Sequence, residues 1–184
     1  DVTIECSASS LPANTGQATA SDNCDSDVTV TYADTTVAGT GNNSVITRVW
    51  TATDDNSNAT TYTQTITVVD TTAPTFTTSP ENVTIECSVS SLPANTGQAA
   101  ASDNCDSDVT VTYADTTVAG TGNNSVITRV WTATDDNSNA TTYTQTITVV
   151  DTIAPVADVT TLTDITAECS IDALTAPTAT RSEE

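Results

Sequence analysis

The chain is dominated by an internal repeat. Residues 1–74 align with residues 82–155 without a gap at an offset of 81, and a third copy diverges after Pro155. The two full copies differ at four positions: Asp1/Asn82, Ala8/Val89, Thr19/Ala100 and Thr72/Ile153. Near-identity at a fixed period predicts an array of similar domains. We place these domains at residues 1–71, 72–152 and, for an incomplete third, 153–184. Whether residues 1–71 include a first strand stays open.

Within each repeat, apolar and polar residues alternate with the period of a β-strand. The alternating segments read "DVTIEC", "DVTVTYAD", "SVITRVWTATD" and "TTYTQTITVVD", and turn-forming segments such as "LPANTG" and "DDNSN" separate them. The 44 threonines add β-branched side chains that suit half-buried sheet surfaces. No segment has a helical period. We therefore expect an all-β fold of tandem Ig-like antiparallel β-sandwiches, similar to fibronectin type III domains, in a beaded rod.

One charged residue interrupts the apolar face of a predicted strand. Arg48 lies among Ile46, Trp50 and Ala52, which should be buried. Arg48 and Glu5 are the only arginine and the only glutamate within residues 1–80, so a pairing of these two on the sheet is one hypothesis.

The composition excludes several functions. The chain has 24 acidic residues, three arginines, no lysine and no histidine, for a formal net charge of −21. A nucleic-acid partner requires a basic surface, and an anionic membrane surface would repel this chain. Without histidine or lysine, the chain has no Ser-His-Asp triad, imidazole metal site or P-loop, and we expect no enzyme. No apolar run approaches the roughly 20 residues that span a bilayer, so we expect no membrane insertion.

Several longer segments resemble a known family. "TRVWTATD" followed by "QTITVVDTTAP", together with "TIECS" and "SDNCDSDVTVTYADTT", is similar to the hyalin-repeat (HYR)-like modules of large Bacteroidota surface proteins. The resemblance covers almost the whole chain. It implies an Ig-like or fibronectin-III-like sandwich, a role as a stalk repeat of a cell-surface adhesin, and an extracellular location.

The resemblance also bears on the cysteines, which are Cys6, Cys24, Cys87, Cys105 and Cys169. The family often carries further cysteines where this chain has "GTG" and "DNSN", and cysteines tend to be lost in bonded pairs. This favours the disulfides Cys6–Cys24 and Cys87–Cys105, with Cys169 unpaired by truncation; free buried thiols are the alternative. Each disulfide would stabilise its domain by about 3 kcal/mol. One difficulty is that Cys6 ends the first strand whereas Cys24 lies past the second, so the second strand must be short or the second loop must fold back.

The acidic segment "SDNCDSD" occurs at residues 21–27 and again at residues 102–108. A catalytic carboxylate pair is conceivable, because glycosidases place two acids roughly 5–10 Å apart, but few aromatic residues are available to bind a sugar. A solvated turn stabilised by Asp and Asn side chains is a second interpretation. Calcium binding is a third, because calcium takes several hard oxygen ligands. The EF-hand pattern itself is absent.

Strand direction supports the calcium interpretation. Successive strands of an Ig-like sandwich alternate in direction, so loops 103–108 and 135–139 should meet where the linker with Asp70 enters. A bound cation would relieve the repulsion between these carboxylates and stiffen the joint, by which we mean the junction between one repeat and the next. The expected calcium ligands of the two repeats and linkers are Asp22, Asp25, Asp27, Asp54, Asp55, Asp70, Asp103, Asp106, Asp108, Asp135, Asp136 and Asp151.

These patterns favour a structural stalk of an extracellular bacterial adhesin that projects a distal binding element. Its partners would be neighbouring repeats of the same chain and like chains in a filament. Two alternatives stay open: a carbohydrate- or protein-binding module, and a self-assembling fibre subunit completed by a strand from a neighbouring chain. The "DTT" and "DTI" segments also resemble the O-glycosylation signal of Bacteroidota, which makes candidate sites of Thr35, Thr71, Thr116 and Thr152.

Overall fold

The computed structural model describes residues 1–157 and 179–180 of the chain. The elements in chain order are β1 (Val2–Glu5), α1 (Pro12–Thr15), β2 (Thr29–Ala38), β3 (Ser44–Thr53), β4 (Ala59–Val69), β5 (Thr75–Thr78), β6 (Val83–Glu86), α2 (Pro93–Thr96), β7 (Ala100–Ser102), β8 (Thr110–Ala119), β9 (Ser125–Thr134), β10 (Ala140–Val150), β11 (Val156–Ala157) and β12 (Ala179–Thr180). Both helices are single turns, and neither is long and apolar enough to cross a membrane.

The described chain forms two compact units. The first unit contains residues 1–79, 99–114 and 130–143, and the second contains residues 80–98, 115–129 and the described residues from 144 onward. Strands β8, β9 and β10 contribute residues to both units. The predicted domain boundaries at residues 71 and 152 stay a prediction.

The first repeat forms a four-stranded sheet in the order β1-β4-β3-β2. Strands β2, β3 and β4 are antiparallel, and Trp50 lies between Tyr32 on β2 and Tyr62 on β4. Strand β1 instead runs parallel to β4, with Glu5 opposite Val69. The predicted all-β sandwich fold is confirmed, and in this repeat the parallel β1 departs from the antiparallel pairing that the sequence suggested.

The second repeat has the same four-stranded arrangement, in the order β6-β10-β9-β8 with β6 parallel to β10. A second, two-stranded sheet joins β5 to β7, with Phe76 opposite Ala101. The ring of Phe76 packs against the ring of Tyr143 on β10, with the centroids 6.0 Å apart. The β5–β7 sheet therefore forms a second layer over this part of β10.

Each repeat has a small core that includes an arginine. On β3, Ile46 and Trp50 are 8% and 5% exposed, and Arg48 between them is 0% exposed. Alternation places all three side chains on the same face of the strand. The corresponding arginine of the second repeat, Arg129, is also 0% exposed.

Arg48 is buried because its guanidinium N–H groups have partners. Nε and Nη2 donate to the two carboxylate oxygens of Asp34 at 2.8 and 2.9 Å. Nη1 donates to Thr15 Oγ1 and Nη2 to the carbonyl of Ser10, both at 2.8 Å, which ties the segment around α1 to the sheet. The hypothesis that Arg48 pairs with Glu5 is wrong. Asp34 lies directly opposite Arg48 across β2 and β3, whereas Glu5 lies on β1.

The strand directions place loops at two opposite ends of the first sheet. At one end, the N–H of Cys6 donates to the carbonyl of Val69 at 2.8 Å. At the other end, the N–H of Asp55 donates to Asp25 Oδ2 at 2.9 Å, so loop 22–27 lies beside the β3–β4 turn. Strand β3 spans the sheet with 10 residues. At ~3.3 Å per residue, the two ends are about 30 Å apart.

Candidate metal centre beside a disulfide

Three aspartates meet in the first compact unit. Asp70 directly follows β4, Asp103 directly follows β7 and Asp135 directly follows β9. Each offers one carboxylate oxygen to a group whose members all lie within 4.8 Å of one another. Asp70 and Asp135 are each 6% exposed, and Asp103 is half-buried. Three strand ends therefore bring carboxylates from the linker and from both loops of the second repeat together.

Asparagine side chains hold the backbone at Asp70. The N–H of Asp70 donates to Asn43 Oδ1 at 2.9 Å. The carbonyl of Asp70 accepts from Nδ2 of Asn137 and from Nδ2 of Asn139, each at 3.2 Å. Asn137 Nδ2 also donates to Asn43 Oδ1 at 3.0 Å. The role of Asn43 could not be predicted from the sequence, because nothing in its turn distinguishes it from other turn asparagines.

The other two carboxylates are oriented by N–H groups of their own loops. Asp135 Oδ1 accepts the N–H groups of Asn137 and Asn139 at 2.9 and 2.8 Å. Asp103 Oδ1 accepts the N–H of Cys105 at 2.8 Å. The second oxygen, Asp103 Oδ2, is buried and has no hydrogen-bond partner among the described residues. A buried carboxylate oxygen without a partner is costly, and a cation beside it would remove that cost.

The cluster carries unfavourable negative charge. Burial raises the pKa of Asp70, and the carboxylates of Asp103, Asp135 and Glu5 raise it further, against the lowering effect of the Thr72 N–H. The chain has no lysine that could neutralise these groups. A protein that keeps several carboxylates this close gains most from a cation bound between them.

The donor set fits calcium. Calcium takes about six to eight oxygen ligands and accepts water for those that the protein does not supply. Asp70, Asp103 and Asp135 are hard oxygen donors, and the unpaired Asp103 Oδ2 is available for a further bond. Softer transition metals favour thiolate or imidazole ligands, and the nearby Cys6 and Cys105 are bonded to each other. A calcium ion held by the three aspartates would offset most of their negative charge and give Asp103 Oδ2 a partner.

A disulfide lies beside this cluster. Cys6, which directly follows β1, is bonded to Cys105, which lies two residues after Asp103. The two Cα atoms are 5.9 Å apart, and the two cysteines are 99 residues apart in the chain. The bond therefore joins the first repeat to a loop of the second. The structure differs here from the predicted pairs Cys6–Cys24 and Cys87–Cys105.

Strand topology explains this correction. Because β1 is parallel to β4, Cys6 lies beside Val69 at one end of the sheet. Cys24 lies at the opposite end, in the loop that is hydrogen-bonded to Asp55. The ends are about 30 Å apart, whereas a disulfide requires Cα atoms within roughly 7 Å. The segment between them runs from one end of the sheet to the other and does not fold back, so Cys24 stays out of reach of Cys6.

The matching loops of the first repeat are open to solvent. Asp22 Oδ1 accepts the N–H of Asp25 at 3.1 Å, and Asp25 Oδ2 accepts the N–H of Asp55 at 2.9 Å. Asp54 accepts both the side-chain and the backbone N–H of Asn58 at 2.7 Å, and these bonds lower the pKa of Asp54. The loops line a surface pocket of about 450 Å³. They form turns here, and no linker carboxylate joins them in the described chain.

Other predicted ligands stabilise turns. Asp106 accepts the N–H of Asp108 at 2.8 Å through Oδ1 and the N–H of Asp136 at 3.0 Å through Oδ2. In the first repeat, Asp25 Oδ1 accepts the N–H of Asp27 at 2.9 Å. These bonds match the solvated-turn interpretation for this subset of the acidic residues.

Asp151 belongs to a separate group in the second unit, together with Glu86 and Cys87. The N–H of Asp151 donates to Asn124 Oδ1 at 2.8 Å, as the N–H of Asp70 does to Asn43. Cys169 lies outside the described residues.

The four candidate glycosylation threonines are exposed. Thr35 and Thr116 lie on β2 and β8, whereas Thr71 and Thr152 follow β4 and β10 by two residues. The hydroxyls of Thr71 and Thr152 donate to the glutamate that ends β1 or β6. Glycosylation at these sites stays a prediction.

No family model and no curated protein matches the chain. Solved structures do match, and one of them is described as "Protocadherin gammaB7 EC3-6 cis-dimer structure". It has 14% sequence identity to this chain and a TM-score of 0.34. The match covers 74% of this chain and 45% of that structure's chain, so this chain spans just under half of its length.

Proposed function

We propose that the chain is part of an extracellular structural stalk in which each repeat is held to the next by a disulfide and a calcium ion. The observation that carries the proposal is the bond between Cys6 of one repeat and Cys105 of the next, beside the cluster of Asp70, Asp103 and Asp135. A module whose work is mechanical needs its joints fixed. A covalent bond and a shared cation at one joint would both do this.

The disulfide supports the extracellular location. Structural disulfides persist in oxidising surroundings and are rare in the reducing cytosol. The net charge of −21 suits a surface exposed to water. The resemblance to HYR-like modules extends the proposal to a stalk of a bacterial surface adhesin that projects a distal binding element, with no catalytic role for the repeats themselves.

Calcium would act on the joint through the three aspartates. Without a cation, the carboxylates of Asp70, Asp103 and Asp135 repel one another at the linker. With calcium they share one ion, which replaces repulsion by attraction. A ligand that binds only the folded form stabilises it by about 2.7 kcal/mol when its concentration is 100 times its Kd.

Thermal unfolding of the full chain in calcium and in EGTA tests this proposal. We expect calcium to raise the Tm, and calorimetric titration should detect calcium binding. Asp103→Asn should weaken this binding at least about tenfold, because a charged ligand is lost. Asp22→Asn is the matched control, since Asp22 has the same place in an identical but solvent-open loop. It should leave the calcium affinity unchanged. An unaltered Tm in calcium, or an equal loss of affinity in both variants, would contradict a calcium site at the joint.

A further inference from the structure

The first repeat has an open groove where the second repeat holds a strand. In the second repeat, β5 pairs with β7, with Thr75 opposite Ser102 and Phe76 opposite Ala101. The residues of the first repeat that correspond to β7 are 19–21. They form no strand and pair with no other strand within the described chain.

Burial of equivalent residues differs accordingly. Tyr143 is half-buried and packs against Phe76, with ring centroids 6.0 Å apart. Tyr62, which has the same place in the first repeat, is 63% exposed. Ala133 is 0% exposed, whereas its counterpart Ala52 is only half-buried. The same side chains are therefore covered in one repeat and open in the other.

The open groove has the features of a strand-binding site. It has a volume of about 140 Å³, and its lining includes Trp50 and Tyr62 as well as residues 18–20. Residues 19–21 offer backbone N–H and carbonyl groups along one side, and such an edge pairs readily with an added strand. Tyr62, which is 63% exposed, offers an apolar surface for a ring.

We propose that this groove binds the linker strand of another copy of the repeat, a segment like Thr75–Thr78 that adds a strand to residues 19–21 and seats its phenylalanine on Tyr62. The second repeat identifies the occupant, because there the equivalent residues hold this segment, and position 19/100 is the only difference among them. None of the lining residues is an aspartate of the proposed calcium site, so this inference stands apart from that proposal.

A spin-labelled peptide of residues 73–80, "APTFTTSP", added to the nitrogen-15-labelled full chain in EGTA, tests the proposal. The peptide lacks Asp70, so calcium binding plays no part. We expect saturable broadening of the amide signals of residues 19–21 and little effect on residues 100–102, whose groove is filled. A peptide with Phe76→Ala, or a chain with Tyr62→Ala, should bind at least roughly tenfold more weakly, because a ring contact is lost.

A second measurement tests the groove even if the free peptide binds too weakly to be detected. Residues 73–81 are placed directly before Asp1, the spacing that they have before Asn82, and hydrogen exchange is followed. The amides of residues 19–21 should then become protected to the level of residues 100–102. No broadening together with no protection would overturn the proposal. Equal effects at the open and filled grooves would overturn it as well. The same holds if binding does not depend on the phenylalanine, or if a peptide with the same residues in scrambled order binds equally well.

Discussion

The acidic loops of the two repeats have the same sequence and different surroundings. Asp135 is 6% exposed and lies within 4.8 Å of the Asp70 group, whereas Asp54 in the identical loop is half-buried with no linker carboxylate beside it. Cys105 is bonded to Cys6, whereas Cys24 is an exposed thiol. The carboxylate cluster is therefore a property of a loop that meets the preceding linker and not of the loop alone.

The local part of each loop is nevertheless the same. Asp54 Oδ1 accepts the N–H of Asn58 at 2.7 Å, and Asp135 Oδ1 accepts the N–H of Asn139 at 2.8 Å. These turn bonds connect residues four apart and form wherever the segment occurs. What differs is the set of long-range partners, which in the second repeat includes Asp70.

Removing the disulfide should have the largest effect. Closing a loop of nearly 100 residues stabilises by roughly 5 kcal/mol in the chain-entropy model, so Cys105→Ser should lower the free energy of unfolding by about that amount. Cys24→Ser changes the same position of the first repeat and should stay within about 0.5 kcal/mol of the wild type. Denaturant unfolding without reductant measures both. Equal destabilisation by the two variants is the result expected from the two bonds Cys6–Cys24 and Cys87–Cys105, and it would contradict the pairing of Cys6 with Cys105.

Replacing the buried arginines tests a feature that the two repeats share, the buried arginine with its hydrogen-bond partners. Arg48→Met and Arg129→Met should each cost about 3 kcal/mol, because each leaves an aspartate and a threonine hydroxyl without their charged partner. Arg129 bonds Asp115 and Thr96 at 2.8 and 2.9 Å, much as Arg48 bonds its own partners. Chemical denaturation should give similar losses for the two variants. If the two losses differ by more than about 1 kcal/mol, the environment of each repeat also affects the stability of its core.

Acid should weaken the interaction between Arg48 and Asp34. The hydrogen bonds from Arg48 hold the pKa of Asp34 below its usual value. A lowered pKa in the folded state gives stability that is present above the unfolded pKa of about 3.9 and is lost as pH falls through the folded value. Asp34→Asn should be less stable at neutral pH and should show a flatter loss in acid. Urea unfolding between neutral pH and strong acid measures this; parallel curves for the variant and the wild type would refute it.

The smallest expected effect is that of Asp70→Asn. Calcium should reverse the sign of the change in stability that this substitution causes. The pKa of Asp70 is raised, so without calcium its ionisation costs stability as pH rises from about 3.9 through the raised value. In EGTA at neutral pH, Asp70→Asn should therefore be more stable than the wild type. In calcium it should be less stable, because a ligand is lost. Asp151→Asn is the matched control at the equivalent position after β10, and thermal unfolding in both buffers compares them. The same sign in both buffers would argue against calcium at Asp70.

Much of the fold could be predicted because its signals are local. Alternation over "DVTVTYAD", "SVITRVWTATD" and "TTYTQTITVVD" matches β2, β3 and β4. The meeting of Asp70 with the loops of the second repeat followed from strand direction. The partner of Arg48 could not be predicted in the same way, because it depends on the register that places Asp34 opposite it.

The sequence by itself determined the repeat, the strands, the acidic turns and the arginine on an apolar face, since each depends on residues close together in the chain. Only the tertiary structure decided which cysteine bonds Cys6 and which acidic loop is buried. The physical reason is that the two copies of each loop are identical in sequence, so no local preference can distinguish them. The distinction comes from long-range contacts, above all the parallel β1 that carries Cys6 to the end of the sheet where Asp70 begins the linker.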